Sequence, residues 1–380
     1  MIRVVQVRRL FATRVDGGLI SASVAIFLGL AFGALILKAA GIAPLAAYAV
    51  ILKGAFGKPA SVMYAIVKAT PLIFTGLSIA LAFRGGLFNI GAEGQFIVAA
   101  LAAALTGYYL QLPAAVHVPV VFLIATAAAG LWGGIAGFLK ARYGTHEVVS
   151  TIMLNWIALH LQNFVVMTTG FRKPDSEASF TIRESASITL LGEWKYSGPG
   201  QSWLQDHSVV QDLLRAPVNF GIVVAVAVAL ALHFILKKTT AGYTLRAIGF
   251  NRRAAAYGGI DVERGLVMTM VAAGAIAGAG GALHVMGVAK NIALLTSMEG
   301  YGFDGLAVAL MGNASIAGCG VSALLLGALK YGGAKMQAVL GAPSEIIVII
   351  TGAIVFFVGI PRISRELLRA RRARIGRNDA

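Results

Sequence analysis

Cysteine is nearly missing: Cys319 is the only one in 380 residues. One thiol cannot close an internal disulfide or supply a cysteine-based metal site. Histidine is sparse as well, and His146-Glu147 is followed by Val148, Val149 and Ser150. No second histidine therefore arrives one helical turn later, as an HExxH zinc site requires. The phosphate-cradling G-x-x-x-x-G-K-[ST] loop is absent too. Gly57-Lys58 runs into Pro59, and Leu52 stands where the first glycine belongs. This excludes the usual P-loop ATPase signature. Charge is scarce, at 13% of residues, against about 25% in soluble domains. Acidic residues are the scarcest, 16 against 32 Lys and Arg.

What fills the chain is apolar surface: 58% of residues are hydrophobic, and the mean hydropathy is +0.80. A globule of this size cannot bury so much, so lipid must solvate part of it. The formal charge of +16 could suit nucleic acid if it formed one patch. Instead the basic residues sit at the edges of apolar runs, the pattern of a polytopic membrane protein. The sequence thus predicts an all-α integral membrane protein, with no nucleic-acid partner.

Apolar runs long enough for a hydrocarbon core of about 30 Å recur along the chain. A basic N-terminus, 1–18, precedes a first span at 19–37, too long for a signal-peptide core. Residues 39–61 read as extracytoplasmic and partly interfacial. Further spans are predicted at 62–83, 96–110, 119–139, 144–163, 217–236, 266–288, 318–336 and 346–360, with a short or broken one at 301–317. A basic tail, 361–380, closes the chain. Ten spans place both ends on one side. On that reading 20 of the 32 Lys and Arg fall on inner segments, which favours N-in and C-in. The membrane domain is then 19–360, with an outer hydrophilic loop at 170–216 that caps the mouth with Trp194, Tyr196 and Trp203.

Two spans are rich in small residues that let helices approach closely: Gly130, Gly133, Gly134 and Gly137 in one, and the run 274–282 in another. Two stretches between spans are broken by glycine. The first, GGLFNIGAEGQ at 85–95, carries Asn89, Glu93 and Gln95; the second precedes 301, with Asp304 just beyond. Irregular backbone at membrane depth survives only inside protein or beside water. If the chain is two inverted five-span halves, these breaks correspond and point to a central pathway. Asn155, Gln162 and Asn163 form a polar arc on one helix, which His160 extends. That arc reads either as helix-to-helix glue or as a lined route.

The longest basic interruption is 237–264, KKTTAGYTLRAIGFNRRAAAYGGIDVER. It reads as a short helix from 242 to 257, broken near Gly249 and Asn251 and stopped by Gly258 and Gly259. A connector that only fixes topology needs no small-residue helix bracketed by glycines, so the stretch also reads as a docking segment for another protein. Acidic residues near spans are few: Glu93, Glu147, Asp304 and Glu345, all close to helix ends or breaks. That is poor material for a proton or sodium relay, although an ion-coupled secondary carrier is the alternative to keep. No pairing suits an intramembrane enzyme. Energy is expected from a separate subunit.

Four stretches carry a family resemblance: LFNIGAEGQF (87–96), GTHEVVSTIMLNWIA (144–158), GYTLRAIGFNRRAAAYGGI (242–260) and YGFDGLAVALMGNA (301–314). Together they resemble the permease subunits of bacterial ABC importers of the branched-chain amino acid, ribose and galactose superfamily. The branch most similar is that of nucleoside and simple-sugar permeases that work with basic-membrane-protein-type lipoproteins. His146 stands where that branch often has Asn. The resemblance implies a non-enzymatic inner-membrane transport subunit, with nucleosides or a related neutral sugar-like solute as cargo. It implies a second permease, ABC ATPase subunits that bind ATP and Mg, and an extracytoplasmic substrate-binding lipoprotein. This chain itself would hold no cofactor or metal. Arg246, Gly249, Asn251, Ala255, Gly258 and Gly259 would belong to the ATPase-coupling segment. Asn89, Glu93 and Gln95 would lie near the translocation route, with Asn155, Gln162, Asn163 and Asp304 as further candidates.

Overall fold

The computed structural model describes residues 15–168, 170–343 and 345–359. Most of the basic N-terminus and the whole basic tail lie outside the described residues. Every regular element among them is helical, and the only extended pairings are isolated bridges such as Ala178 with Ala293. In chain order the helices are α1 (Val15–Ala39), α2 (Pro44–Phe56), α3 (Pro59–Arg84), α4 (Ala92–Tyr109), α5 (Ala114–Tyr143) and α6 (Glu147–Val166). After the outer loop come α9 (Gly221–Lys238), α10 (Thr240–Phe250), α11 (Arg252–Tyr257), α12 (Val262–His284), α13 (Tyr301–Met311), α14 (Ile316–Leu340) and α15 (Glu345–Gly359). The loop itself holds α7 (Gly198–Asp206) and α8 (Ser208–Leu214).

Six of these, α3, α5, α6, α9, α12 and α14, are long and apolar enough to cross a membrane. The bent pair α1 and α2, which turns by 117°, brings the count to seven if taken as one span. The other segments expected to cross, α4, α13 and α15, fall short for visible reasons. Helix α4 opens on Glu93 and Gln95, and α13 and α15 have only 11 and 15 residues. Within residues 39–61, expected to be partly interfacial, the structure forms α2, whose Ile51 lies against Gly332 of α14.

Burial sorts the helices into an inner and an outer set. The apolar windows of α3 and α12 are 78% and 67% buried, whereas those of α5, α6 and α9 are 28%, 28% and 22% buried. The outer helices show Leu123, Leu131, Phe164, Leu230 and Phe234 on their free faces. Such a surface is tolerable only against lipid tails. The small-residue runs do what their composition predicts. A side chain at Gly133 would stand 2.6 Å from the Met270 carbonyl, so α5 and α12 meet backbone to backbone. Along α12, Gly280 and Gly281 face Phe74 of α3 and Phe96 of α4. Glycine spacing thus lets one helix touch three neighbours, with dispersion contacts replacing a hydrophobic drive that lipid removes.

Candidate functional site

The two glycine-broken stretches meet inside the fold. Residues 85–91 separate α3 from α4; residues 290–300 separate the end of α12 from α13. Glu93, in the first turn of α4 and fully buried, accepts N–H bonds from Gly300 (2.7 Å) and Gly302 (2.5 Å). Those are orphan donors at the start of α13, where a carboxylate is favoured by both hydrogen bonding and the helix dipole. Gly302 packs directly on the Glu93 backbone, an approach that leaves no room for a side chain. The Thr75 hydroxyl of α3 adds a bond to the Tyr301 carbonyl at 2.9 Å.

Asn89 and Gln95 close the first break on itself. Asn89 Nδ2 donates to Gln95 Oε1 (2.9 Å) and Ser78 Oγ (3.2 Å), and its Oδ1 accepts from Gly91 N (3.0 Å) and Gln95 Nε2 (3.2 Å). Ser78 in turn donates to the Ala273 carbonyl at 2.6 Å, which ties this network to α12. Every member is buried and partnered, the condition under which a polar network specifies one arrangement.

Helix α6 holds both breaks. Asn155 accepts from Gly94 N (2.8 Å) and donates to the Ile90 carbonyl (3.0 Å). Two turns later Gln162 donates to the Ala293 carbonyl (3.1 Å), and Asn163 exchanges two bonds with Leu295 backbone, at 2.8 and 2.9 Å. Their observed contacts are therefore to backbone groups of the two interruptions. His160 does not continue this arc: it is exposed and lies against Trp156. At 100° per residue it lies about 60° from Asn163 and about 140° from Asn155, at the exposed edge of the arc.

Asp304 forms an ion pair with Lys330 of α14. The Lys330 ammonium lies 6.0 Å from the centre of the Tyr301 ring, and Tyr301 belongs to a ring cluster: Phe96 stacks on it at 4.8 Å between centroids, and His284 stands 5.1 Å away. Sequence reasoning missed Tyr301, His284 and Lys330 as site members. A lysine in the middle of the apolar run 316–340 was the available signal. Glu147, another sparse carboxylate, pairs with Lys140 at 2.8 Å and closes the turn between α5 and α6.

The hydrophilic loop between α6 and α9 covers the second break. Ser179 N and Ile182 N donate to the carbonyls of Ile292 and Lys290, and Ile188 N to that of Met286. Lys290 binds Ser187 from the loop, and burial there lowers its ammonium pKa from the ordinary value, with Glu184 pulling the other way. Trp203 stacks on His207 at 4.1 Å and stays partly exposed, as does Trp194.

The basic interruption 237–264 forms the helix pair α10 and α11. The break falls at Asn251 alone; Gly249, expected to share it, stays helical. Gly249 needs no side chain because the Arg84 carbonyl and Gly86 lie where its Cβ would be. Asn251 caps α11 by accepting from Ala254 N at 3.1 Å, a use for which Asn is well suited. Ala255 is buried under the pair; Gly258 ends α11, and Gly259 takes φ +83°. Arg246 bonds the Gly242 carbonyl of its own helix, while Arg252 reaches the Gly86 carbonyl at 2.9 Å. The free face shows Tyr243, Phe250 and Tyr257, the last two 84% and 97% exposed. These aromatics were not singled out from sequence, where only the alanines drew notice.

Geometry thus links the pair to the first break, through Gly86, and the first break to the second, through Glu93. Comparison with known proteins fits that layout. The chain is 40% identical over 335 residues to the guanosine ABC transporter permease protein NupP of Bacillus subtilis, covering 88% of this chain and 91% of that one. It is 34% identical over 353 residues to the nucleoside ABC transporter permease protein NupB of Lactococcus lactis, covering 91% and 92%. It is 29% identical over 332 residues to the glucose ABC transporter permease protein TsgB13 of Haloferax volcanii, covering 87% and 84%. No solved structure matches. Residues 61–359 match the permease component of branched-chain amino acid transport systems; the chain belongs to that family, as a multi-pass permease of the bacterial inner membrane.

Proposed function

We propose that this chain is the membrane-spanning subunit of an ATP-driven ABC importer that brings nucleosides into the cell. The observation that carries the cargo is the 40% identity, over nine-tenths of its length, with a protein named for guanosine. Similarity to a glucose permease makes a simple sugar the second reading. Both are neutral, hydroxyl-bearing solutes. ATP and Mg belong to a separate ATPase, since this chain lacks the phosphate-cradling loop. Helices α10 and α11 are its docking surface: Phe250 and Tyr257 stand free on a basic inner segment. Exposed aromatics of this kind act as anchors in protein interfaces. Arg246, Gly249, Asn251, Ala255, Gly258 and Gly259 shape and hold that pair. A second permease and an outer substrate-binding lipoprotein complete the assembly.

With α1, α4, α13 and α15 counted alongside the six long helices, the chain crosses ten times and keeps both ends inside. Asn89, Glu93, Gln95, Asn155, Gln162 and Asn163 then act on the route by shaping its walls, because their polar groups bind backbone and each other, and Asp304 does so through its ion pair with Lys330. Docking motion at α10 would reach α13 through Gly86 and Glu93. Reconstituted vesicles holding this chain with its ATPase, second permease and binding protein should accumulate radiolabelled guanosine only with ATP. Accumulation by this chain alone, driven by a sodium or proton gradient, would refute the reading. Arg246→Glu and the Phe250→Ala, Tyr257→Ala pair should each lose ATPase co-purification while the chain still inserts.

A further inference from the structure

A cavity of about 840 Å³ opens between α9 and α12, at the end of the membrane region where α10 begins. Its two long walls are apolar stripes with helical spacing. Val228, Leu232 and Ile235 form the one on α9; Met268, Ala272 and Ile276 form the one on α12. Ile235 and Met268 are also exposed, so the groove opens sideways from the body of the fold. Its polar lining is gathered near one end: Thr240 and Thr244 of α10, with Asp261 and Arg264 beside them.

That one-ended polarity matches the layering of a membrane. From Arg264 to Ile276 is about 18 Å at 1.5 Å per residue. One leaflet supplies roughly 15 Å of hydrocarbon, half of a core of about 30 Å. A nucleoside carries polar groups all round and would leave most of them unbonded against these walls, at a cost. An acyl chain leaves none. The charge at the polar end favours an anion. The interruption 237–264 holds six Lys and Arg against Asp261 and Glu263. Lys237 and Lys238 follow directly on Leu236, which lines the groove, and Arg264 lines it itself. The Asp261 carboxylate caps its own helix, accepting from Arg264 N at 3.0 Å. The ion pairs among the described residues are Lys140–Glu147, Arg215–Asp212 and Lys330–Asp304. None of the three cations at this mouth belongs to one.

We propose that the groove seats one anionic phospholipid. Its acyl chains lie between α9 and α12, and its phosphate lies against Arg264, with Lys237, Lys238 and the Thr240 hydroxyl as further donors. Basic pockets between membrane helices hold anionic headgroups in this way. Because α10 supplies part of the lining, the lipid touches α9, α10 and α12 at once. The proposal needs only the placement in a membrane and stands apart from the importer reading. The test uses the full-length chain with any subunits that purify with it, stripped of lipid in detergent. Dioleoyl phosphatidylglycerol or dioleoyl phosphatidylcholine is titrated in, and native mass spectrometry counts the lipid retained per chain. One phosphatidylglycerol should be retained at least about fivefold more tightly than phosphatidylcholine, the scale of one basic residue near an anionic lipid. Arg264→Gln should remove that preference. Ala272→Phe fills the apolar wall without changing charge and should weaken phosphatidylglycerol by about fivefold or more. Arg142→Gln, at an exposed cation near the end of α5, should change nothing. Each variant is compared as a monodisperse peak.

Equal retention of the two lipids would overturn the site, since any apolar surface would then serve. A preference that survives both Arg264→Gln and Ala272→Phe would put the lipid elsewhere. Loss in only one of the two variants would refute either the phosphate contact or the seating of the chains. If neither lipid is retained the proposal fails, and a second permease or second copy of this chain that stays bound would then be the occupant.

Discussion

Glu93 offers the sharpest test of how the two breaks are joined. As a carboxylate it accepts two backbone N–H bonds, at 2.7 and 2.5 Å, from the first turn of α13. Glu93→Ala leaves both donors buried without a partner, at about 1–3 kcal/mol each. It also removes a negative charge from a helix start, roughly a further 0.3–1 kcal/mol. The expected loss is thus about 2–7 kcal/mol, a large share of the roughly 5–15 kcal/mol that holds a typical fold. Glu93→Gln keeps one accepting oxygen and turns an NH2 group toward the other donor, so roughly half the loss is expected on the same accounting. At about 2 °C per kcal/mol for a large domain, Ala should lower Tm in detergent by about 4–14 °C and Gln by about half of that. The measurement is loss of the monodisperse chromatographic peak with temperature. Equal losses for Ala and Gln would refute the two-bond account. An unchanged Tm for Glu93→Ala would remove the join altogether.

Three further outcomes follow from the packing. Gly133→Val places atoms against the Met270 carbonyl and should cost about 3 kcal/mol or more through overpacking, read as lost folded protein after solubilisation. Asn163→Ala breaks two bonds to Leu295 and should cost roughly 1–3 kcal/mol, while His160→Ala, exposed and outside those bonds, should leave the melting curve unchanged. Cys319 is fully buried, so maleimide should modify it in denaturant and leave it untouched in the folded protein.

Much of the architecture was legible in the residues. Span positions follow from runs of apolar residues, the break at 85–91 follows from its glycine cluster, and the one before 301 ends on Gly300. The stop after Tyr257 was readable from Gly258-Gly259, and the structure ends α11 there. The position of the break within the inner pair was not, because Gly249 reads as a helix breaker until its neighbour is known. It is in fact a contact glycine, facing the Arg84 carbonyl. The polar arc of α6 was visible by helical periodicity, but its two readings could not be separated along one strand of text. Residues 39–61 read from sequence as extracytoplasmic and partly interfacial. Only the packing of Ile51 on α14 shows what α2 covers.

Composition and local pattern were enough to place this protein in lipid, to mark its helices and to locate its long basic interruption, because each of these depends on neighbours a few residues away. Tertiary structure alone decided that Glu93 grips Gly300 and Gly302, and that Asn155 and Asn163 hold separate loops. The reason is physical: most of these partners are backbone N–H and C=O groups. Such groups are the same at nearly every position, so a side chain that binds one leaves no mark in the partner's sequence.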